Sequence, residues 1–197
     1  MVMESKVDLP CSICGNMDGM SMLSISSEIP YFGEHTQITL ICENCGWRHT
    51  DFIPTEGKKP GFWSLFIDSP EKLSARIVRS SSCTIRIPQL DIEVVPGSSS
   101  TGFISNVEGV IGRFEQAVNT VIRSEKHSQG DSDNLERATS ILDSLSVARL
   151  GESSISIELL DPRGSSQIIH DSVNSRQLTD DELSILITGP ELPVFEL

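Results

Sequence analysis

Two short strings constrain this chain more than anything else in it: Cys11-Ser12-Ile13-Cys14-Gly15 and Cys42-Glu43-Asn44-Cys45-Gly46. Two residues between cysteines let one tight turn aim both sulfurs at the same ion. The glycine that follows takes a positive φ without a Cβ clash. Four thiolates suit the softness and tetrahedral preference of zinc in a closed structural site, which leaves no position for a reactive water. The predicted site is one structural zinc ion held by Cys11, Cys14, Cys42 and Cys45. The alternatives are four buried free thiols or two redox pairs. Redox pairs usually stand alone at the start of a helix in a βαβ unit, whereas the segment between these pairs reads as strands. Met20, Met22 and Leu23–Ile25 lead to a break at Pro30 and Gly33, and Ile38, Leu40 and Ile41 run into the second pair. That pattern is a zinc ribbon, two knuckles joined by a hairpin. Metal binding worth about 10–16 kcal/mol of apparent folding free energy would hold together a module too small to fold alone. His35 and His49 lie near the pairs, but four cysteines already fill a tetrahedron, so both are predicted non-ligands.

The fifth cysteine, Cys83, makes the count odd, and the opening MVMESKVDLP has no apolar core of signal-peptide length. A disulfide framework is therefore not expected, and the chain reads as cytoplasmic. Cys83 falls in an apolar alternation and reads as a core residue. The apolar runs are too short to span a bilayer. A formal net charge of −13, with Lys58 and Lys59 nearly alone as a basic pair, repels phosphate backbones and favours a basic partner surface or plain solubility.

The expected fold class is α+β: a ribbon over residues 1–56, then a β domain over residues 57–197 that carries a helical hairpin at about residues 106–150. The turn-rich stretch from Thr55 to Gly61 separates the two. Arg76–Arg79 reads as a strand. Cys83, Ile85 and Ile87 alternate on odd positions and Leu90, Ile92 and Val94 on even ones, so the phase flips at Pro88, as at a bulge or a crossing between sheets. Pro96-Gly97-Ser98 ends this run. Val107, Val110, Ile111, Phe114, Val118, Val121 and Ile122 form one helical stripe. After a break at residues 128–131, Asp133 can cap a second helix with the stripe Leu135, Ala138, Leu142 and Leu145, stopped by Gly151. Both stripes are expected to pack on the domain core. Ile155, Ile157 and Leu159 alternate, Asp161-Pro162-Arg163-Gly164 turns, and Gln167-Ile168-Ile169 answers as a second arm. Thr179 to Glu182 is a capping box for a short last helix, ended by Gly189 and Pro190.

Trp47, Phe52, Phe62, Trp63 and Phe66 cluster after the second knuckle and are expected to form the seam between ribbon and β domain rather than an exposed contact surface. An enzyme is not expected. His49-Thr50-Asp51 with a later His170 has the spacing of a facial iron triad, but His49 belongs to the ribbon. No phosphate-binding glycine loop or nucleophile elbow is present in the sequence. The remaining alternative to protein binding is a zinc-ribbon nucleic-acid-binding protein of the transcription or translation machinery, using a few local residues such as Arg48.

Four strings together resemble the ZPR-type zinc finger proteins of archaea and eukaryotes. They are the two knuckles from Cys11 to Gly46; Val78-Arg79-Ser80 through Ile85-Arg86-Ile87-Pro88-Gln89-Leu90-Asp91-Ile92-Glu93; Val107-Glu108-Gly109; and Leu159-Leu160-Asp161-Pro162-Arg163-Gly164-Ser165. Gln89 departs from the glutamate usual in that family. The resemblance implies a ribbon followed by a β domain like a double-stranded β-helix with an inserted helical hairpin. Eukaryotic members carry two such modules and this chain has one, so it looks like an archaeal member. The resemblance also implies the partner: members bind translation elongation factor 1-alpha and are thought to act as its folding chaperone, which suits an acidic surface.

Overall fold

The computed structural model describes residues 2–29, 33–54, 59–128 and 132–189. The predicted breaks at Pro30, residues 55–58, residues 129–131 and Pro190 lie outside the described residues.

The N-terminal part is a four-stranded antiparallel sheet in the order β1 (Val2–Lys6), β2 (Met20–Ile29), β3 (Gly33–Cys42), β4 (Arg48–Pro54). The expected hairpin is β2 and β3, in register from Met20 opposite Cys42 to Ile29 opposite Gly33. β1 and β4 lie beyond that expected hairpin. Every residue of β1 is exposed, and Val2-Met3-Glu4-Ser5-Lys6 gives no clean alternation to detect.

The second part is a sandwich of two antiparallel sheets. One runs β12 (Asn174–Gln177), β5 (Gly61–Ile67), β10 (Ile155–Asp161), β7 (Thr84–Ile87), β8 (Ile92–Val94). The other runs β11 (Gln167–Ile169), β6 (Arg76–Arg79), β9 (Phe103–Asn106). Leu65 and Ile67 of β5, Ile85 and Ile87 of β7 and Ile157 and Leu159 of β10 meet Ile77 of β6 and Ile168 of β11 in one core, with Cys83 buried among them as expected. Each such aliphatic side chain contributes about 1.5–3 kcal/mol through burial. Burial also pushes the Cys83 thiol up, so it stays protonated.

Two connections differ from the expectation. The phase flip at Pro88 is neither a bulge nor a crossing between sheets. Pro88–Leu90 form one 3-10 turn, Asp91 takes a left-handed φ of 50°, and β8 returns antiparallel beside β7 with Ile87 opposite Ile92. A tight reversal inverts the odd–even phase just as a bulge does, so alternation alone could not separate them. Gln89 in that turn donates Nε2 to Ser156 Oγ at 3.0 Å and accepts from Ser156 N at 2.8 Å. A glutamate there keeps the amide acceptor and takes the rotatable hydroxyl as a donor. Gln89→Glu is therefore expected to change stability by less than about 0.5 kcal/mol, and Gln89→Ala to lower it by about 1 kcal/mol, in urea titrations. The second difference follows Asp161. Gly164 takes the left-handed φ of 69° that the turn requires, but β11 does not pair with β10; it crosses to the other sheet and pairs with β6. A turn signal fixes a reversal, not the partner that the next strand finds.

The helical hairpin is α1 (Val107–Ser128) and α2 (Ser132–Arg149). Asp133 sits inside the first turn of α2 rather than capping it, where it still complements the helix dipole. The expectation that both stripes pack on the core holds only for half of each helix. Val107, Val110, Ile111 and Phe114 with Leu145 and Ala148 enter the core, and Val118 and Ile141 pack at its edge. Ile122 and Ala138 are buried outside it, against the neighbouring helix, and Val121 is half exposed.

The last helix, α3 (Asp180–Ile185), has the predicted capping box: Thr179 accepts from Glu182 N while Glu182 accepts from Thr179 N. It ends at Leu186, before Gly189. Glu182 also takes a two-pronged bond from Arg176 of β12 at 2.6 and 2.7 Å, and Arg176 lies 4.3 Å from the centre of the Phe62 ring on β5. The Arg176 guanidinium, then the Thr179 amide, hold the Glu182 carboxyl down to about 2. Because the folded value is depressed, this strap contributes fully above the ordinary glutamate range, near pH 4.3, and is lost as pH falls through about 2. An NMR titration should place the Glu182 midpoint near 2, and Arg176→Ala should return it toward the ordinary value.

Candidate metal centre

The centre is built from two copies of one turn. In the first knuckle Gly15 N donates to Cys11 O at 2.9 Å and Cys11 N to Asn16 O at 2.9 Å. In the second, Gly46 N donates to Cys42 O at 2.8 Å and Cys42 N to Trp47 O at 2.8 Å. Gly15 and Gly46 have φ of 68° and 73°, the left-handed geometry expected after each pair. β2 and β3 bring the turns together, and Val7, Met20, Met22, Leu40 and Trp47 pack around Cys11 and Cys42, leaving Cys14 and Cys45 at the surface.

All four sulfurs lie within 4.8 Å of one another, and among the described residues this quartet is the group of acidic, histidine and cysteine side chains that can hold a metal ion. Cys11 Sγ is 3.7 Å from Cys45 Sγ, and Cys14 Sγ is 3.7 Å from Cys42 Sγ. A tetrahedron with zinc–sulfur bonds of about 2.3 Å has an edge of about 3.8 Å, so the spacing fits. A disulfide needs about 2.05 Å, so the sulfurs are not bonded to each other.

The charge balance points the same way. The Asn16 amide and then the Asn44 side chain, 3.6 Å from the sulfur, draw Cys14 down to about 6. Cys11 is lowered by the Cys14 amide first. At Cys45 the Trp47 amide favours the thiolate, yet desolvation by packed neighbours and the other three sulfurs outweigh it and push the thiol up to about 12. Amides aimed at the sulfurs favour thiolates, but four thiolates this close repel one another until a cation sits between them. Zinc could supply that cation, and a four-sulfur set would leave it no position for water.

The other sequence candidates fall elsewhere. His35 and His49 are buried and lie outside the quartet. His49 stacks on Trp47 with ring centres 5.9 Å apart, and burial lowers its pKa, so the ring is neutral. Asp51 does not face His170. Its carboxylate accepts from Ser81 N at 2.8 Å, from Phe52 N at 2.9 Å, and from Ser81 Oγ. His170 lies beyond β11 and accepts at Nδ1 from Ser172 N at 3.1 Å.

The aromatic cluster is not one seam. Phe52 alone of the five fills that role: it is buried against Val78 of β6 and Ile169 of β11. Trp47 packs on the metal site, Trp63 packs on the sandwich core, Phe62 lies under Arg176, and Phe66 is half exposed on the outer face of β5.

A polar core that the sequence does not announce lies beside Phe52. Asp161 is fully buried. Its Oδ2 accepts from Ser80 Oγ at 2.8 Å and Ser166 Oγ at 2.6 Å, and its Oδ1 from Ser82 Oγ at 2.6 Å and Arg163 N at 2.9 Å. Arg79 binds Cys83 O through Nε and Nη2 and Thr101 O through Nη1. Burial works against its charge, and the Asp51 and Asp161 carboxylates support it. The available signal was the uninterrupted Ser80-Ser81-Ser82 inside an apolar strand pattern, a polar run that a core tolerates only with partners.

Residues 71–185 match the ZPR1 jelly-roll domain family. The chain belongs to the ZPR1 family. A ZPR1-like protein of Methanocaldococcus jannaschii is 35% identical over 95% of this chain and 92% of its own length. A ZPR1-like protein of Pyrococcus horikoshii is 33% identical over 93% of this chain and 82% of its own. The zinc finger chaperone zpr1 of Schizosaccharomyces pombe is 25% identical over 72% of this chain and 31% of its own. For this ZPR1 family member, the strings Val78 to Glu93 and Leu159 to Ser165 supply Ser80, Ser82 and Asp161 of the buried polar core, and Ser166 just beyond the second string completes it.

Proposed function

We propose that this ZPR1 family member is a protein-binding module, not an enzyme, whose ribbon is held by one structural zinc ion on Cys11, Cys14, Cys42 and Cys45, and that it binds translation elongation factor 1-alpha in the cytoplasm and assists its folding. The observation that carries the reading is the family match together with a quartet of four sulfurs that can hold a metal ion, a donor set suited to a structural site. A fungal relative described as a zinc finger chaperone supports the folding role. The formal charge of −13 supports a basic partner, because complementary charge speeds encounter. No described helix is long and apolar enough to cross a membrane.

The test uses purified archaeal elongation factor 1-alpha, refolded from denaturant with and without the zinc-loaded chain. A higher yield of nucleotide-binding factor and a complex that weakens with salt are expected. No complex in either nucleotide state and an unchanged yield would overturn the proposal, and salt-sensitive gel shifts with RNA or DNA would replace it with nucleic-acid binding.

A further inference from the structure

The metal centre and the sandwich are joined through few residues. Cys45 is six positions before Asp51, and the intervening chain starts β4 with Trp47 stacked on the buried His49. Asp51 keeps its place in the ribbon sheet, opposite Ile38 of β3, while its side chain reaches into the sandwich, where both its oxygens are taken by Ser81 and the Phe52 amide. Thr50 O accepts from Gly102 N at 2.6 Å, and Phe52 closes on Val78 and Ile169. Ser81 stands between Ser80 and Ser82, which both donate to Asp161, and Ser80 N donates to Ser166 Oγ at 2.9 Å. One three-serine loop thus bonds a ribbon carboxylate on its middle residue and a sandwich carboxylate on its outer two. All five of these side chains are buried, Asp51 at 3% exposure and the others at 1% or less.

We propose that Asp51 and the Ser80–Ser82 loop form a latch that makes the order of the sandwich's polar core depend on whether the four cysteines hold zinc. Without the ion the second knuckle opens and β4 loses its anchor. Asp51 then withdraws from the loop. Ser81 is left with an unpaired buried amide and hydroxyl, and the loop relaxes toward water at the expense of its bonds to Asp161. The hydrophobic core of the sandwich, built from other residues, stays folded. The latch lets metal occupancy of the ribbon be felt at the base of β6, β9 and β11. It rests on the reading of the quartet as a zinc site.

Hydrogen exchange followed by mass spectrometry on the full chain, zinc-loaded and after chelation, tests it. Chelation is expected to speed exchange at least about tenfold in residues 80–83 and 162–166 as well as in β2 to β4, with β5 and β10 still protected. Asp51→Ala, which removes the carboxylate, should show the fast loop while still holding zinc, and chelation should add nothing further there. Gly102→Ala is the second variant: a Cβ there would lie 2.8 Å from the Phe52 ring and 3.0 Å from the Asp51 carboxylate, so it crowds the seam while leaving the latch's own side chains in place, and it should speed loop exchange in the zinc-loaded chain. Chelation that loosens β2 to β4 alone overturns the latch and leaves the zinc reading standing. Chelation that changes neither region overturns both.

Discussion

Cys42→Ser is expected to lose stoichiometric zinc and to unfold the sheet of β1 to β4 while the sandwich core stays folded. Cys42 is fully buried, its amide and carbonyl close the second knuckle, and its sulfur lies 3.7 Å from Cys14 Sγ. A serine hydroxyl does not replace a thiolate as a soft ligand, and three thiolates leave the tetrahedron open. Few buried apolar groups surround the site, namely Met20 and Leu40 with the partly buried Val7, Met22 and Trp47. That is too little to hold the sheet without metal binding worth about 10–16 kcal/mol. Metal analysis of the purified variant with far-UV circular dichroism checks this, and full occupancy with unchanged melting would contradict it.

Asp161→Ala should carry the second largest effect, about 3–5 kcal/mol of lost stability for the zinc-loaded chain in urea unfolding. The substitution removes the acceptor that three buried hydroxyls share, leaving them only one another, strips the Arg163 amide of its partner, and removes one of the carboxylates that support the buried Arg79 charge. Losses of that size are rare for single substitutions and arise mainly where a buried network breaks. Asp161→Asn keeps the shape and an acceptor for the Arg163 amide, so it should cost clearly less. A loss under about 1 kcal/mol for the alanine variant would show that the network adds little.

Much of this was legible in the sequence because local chemistry wrote it there. The knuckles need cysteines at fixed spacing and a glycine with positive φ, and both were visible. The α1 and α2 stripes and the Thr179–Glu182 cap are likewise local signals. What escaped was set by distant pairing. Pro88 looked like a crossing because a reversal and a bulge invert the alternation alike. The turn at Asp161 looked like a hairpin because nothing within it names β6 as the partner of β11. The seam was assigned to five aromatics because aromatic residues signal burial but not its location; one of them, Phe52, fills it beside a carboxylate and a serine loop. Asp161 itself read as a turn residue, and only the fold shows three hydroxyls from two separate segments converging on it.

X-ray absorption at the zinc edge of the purified, unmodified chain tests the central claim most directly. The account predicts about one zinc per chain with four sulfur neighbours at about 2.3 Å and no light-atom ligand. Material without stoichiometric metal, or with an oxygen from water in the first coordination sphere, would contradict it.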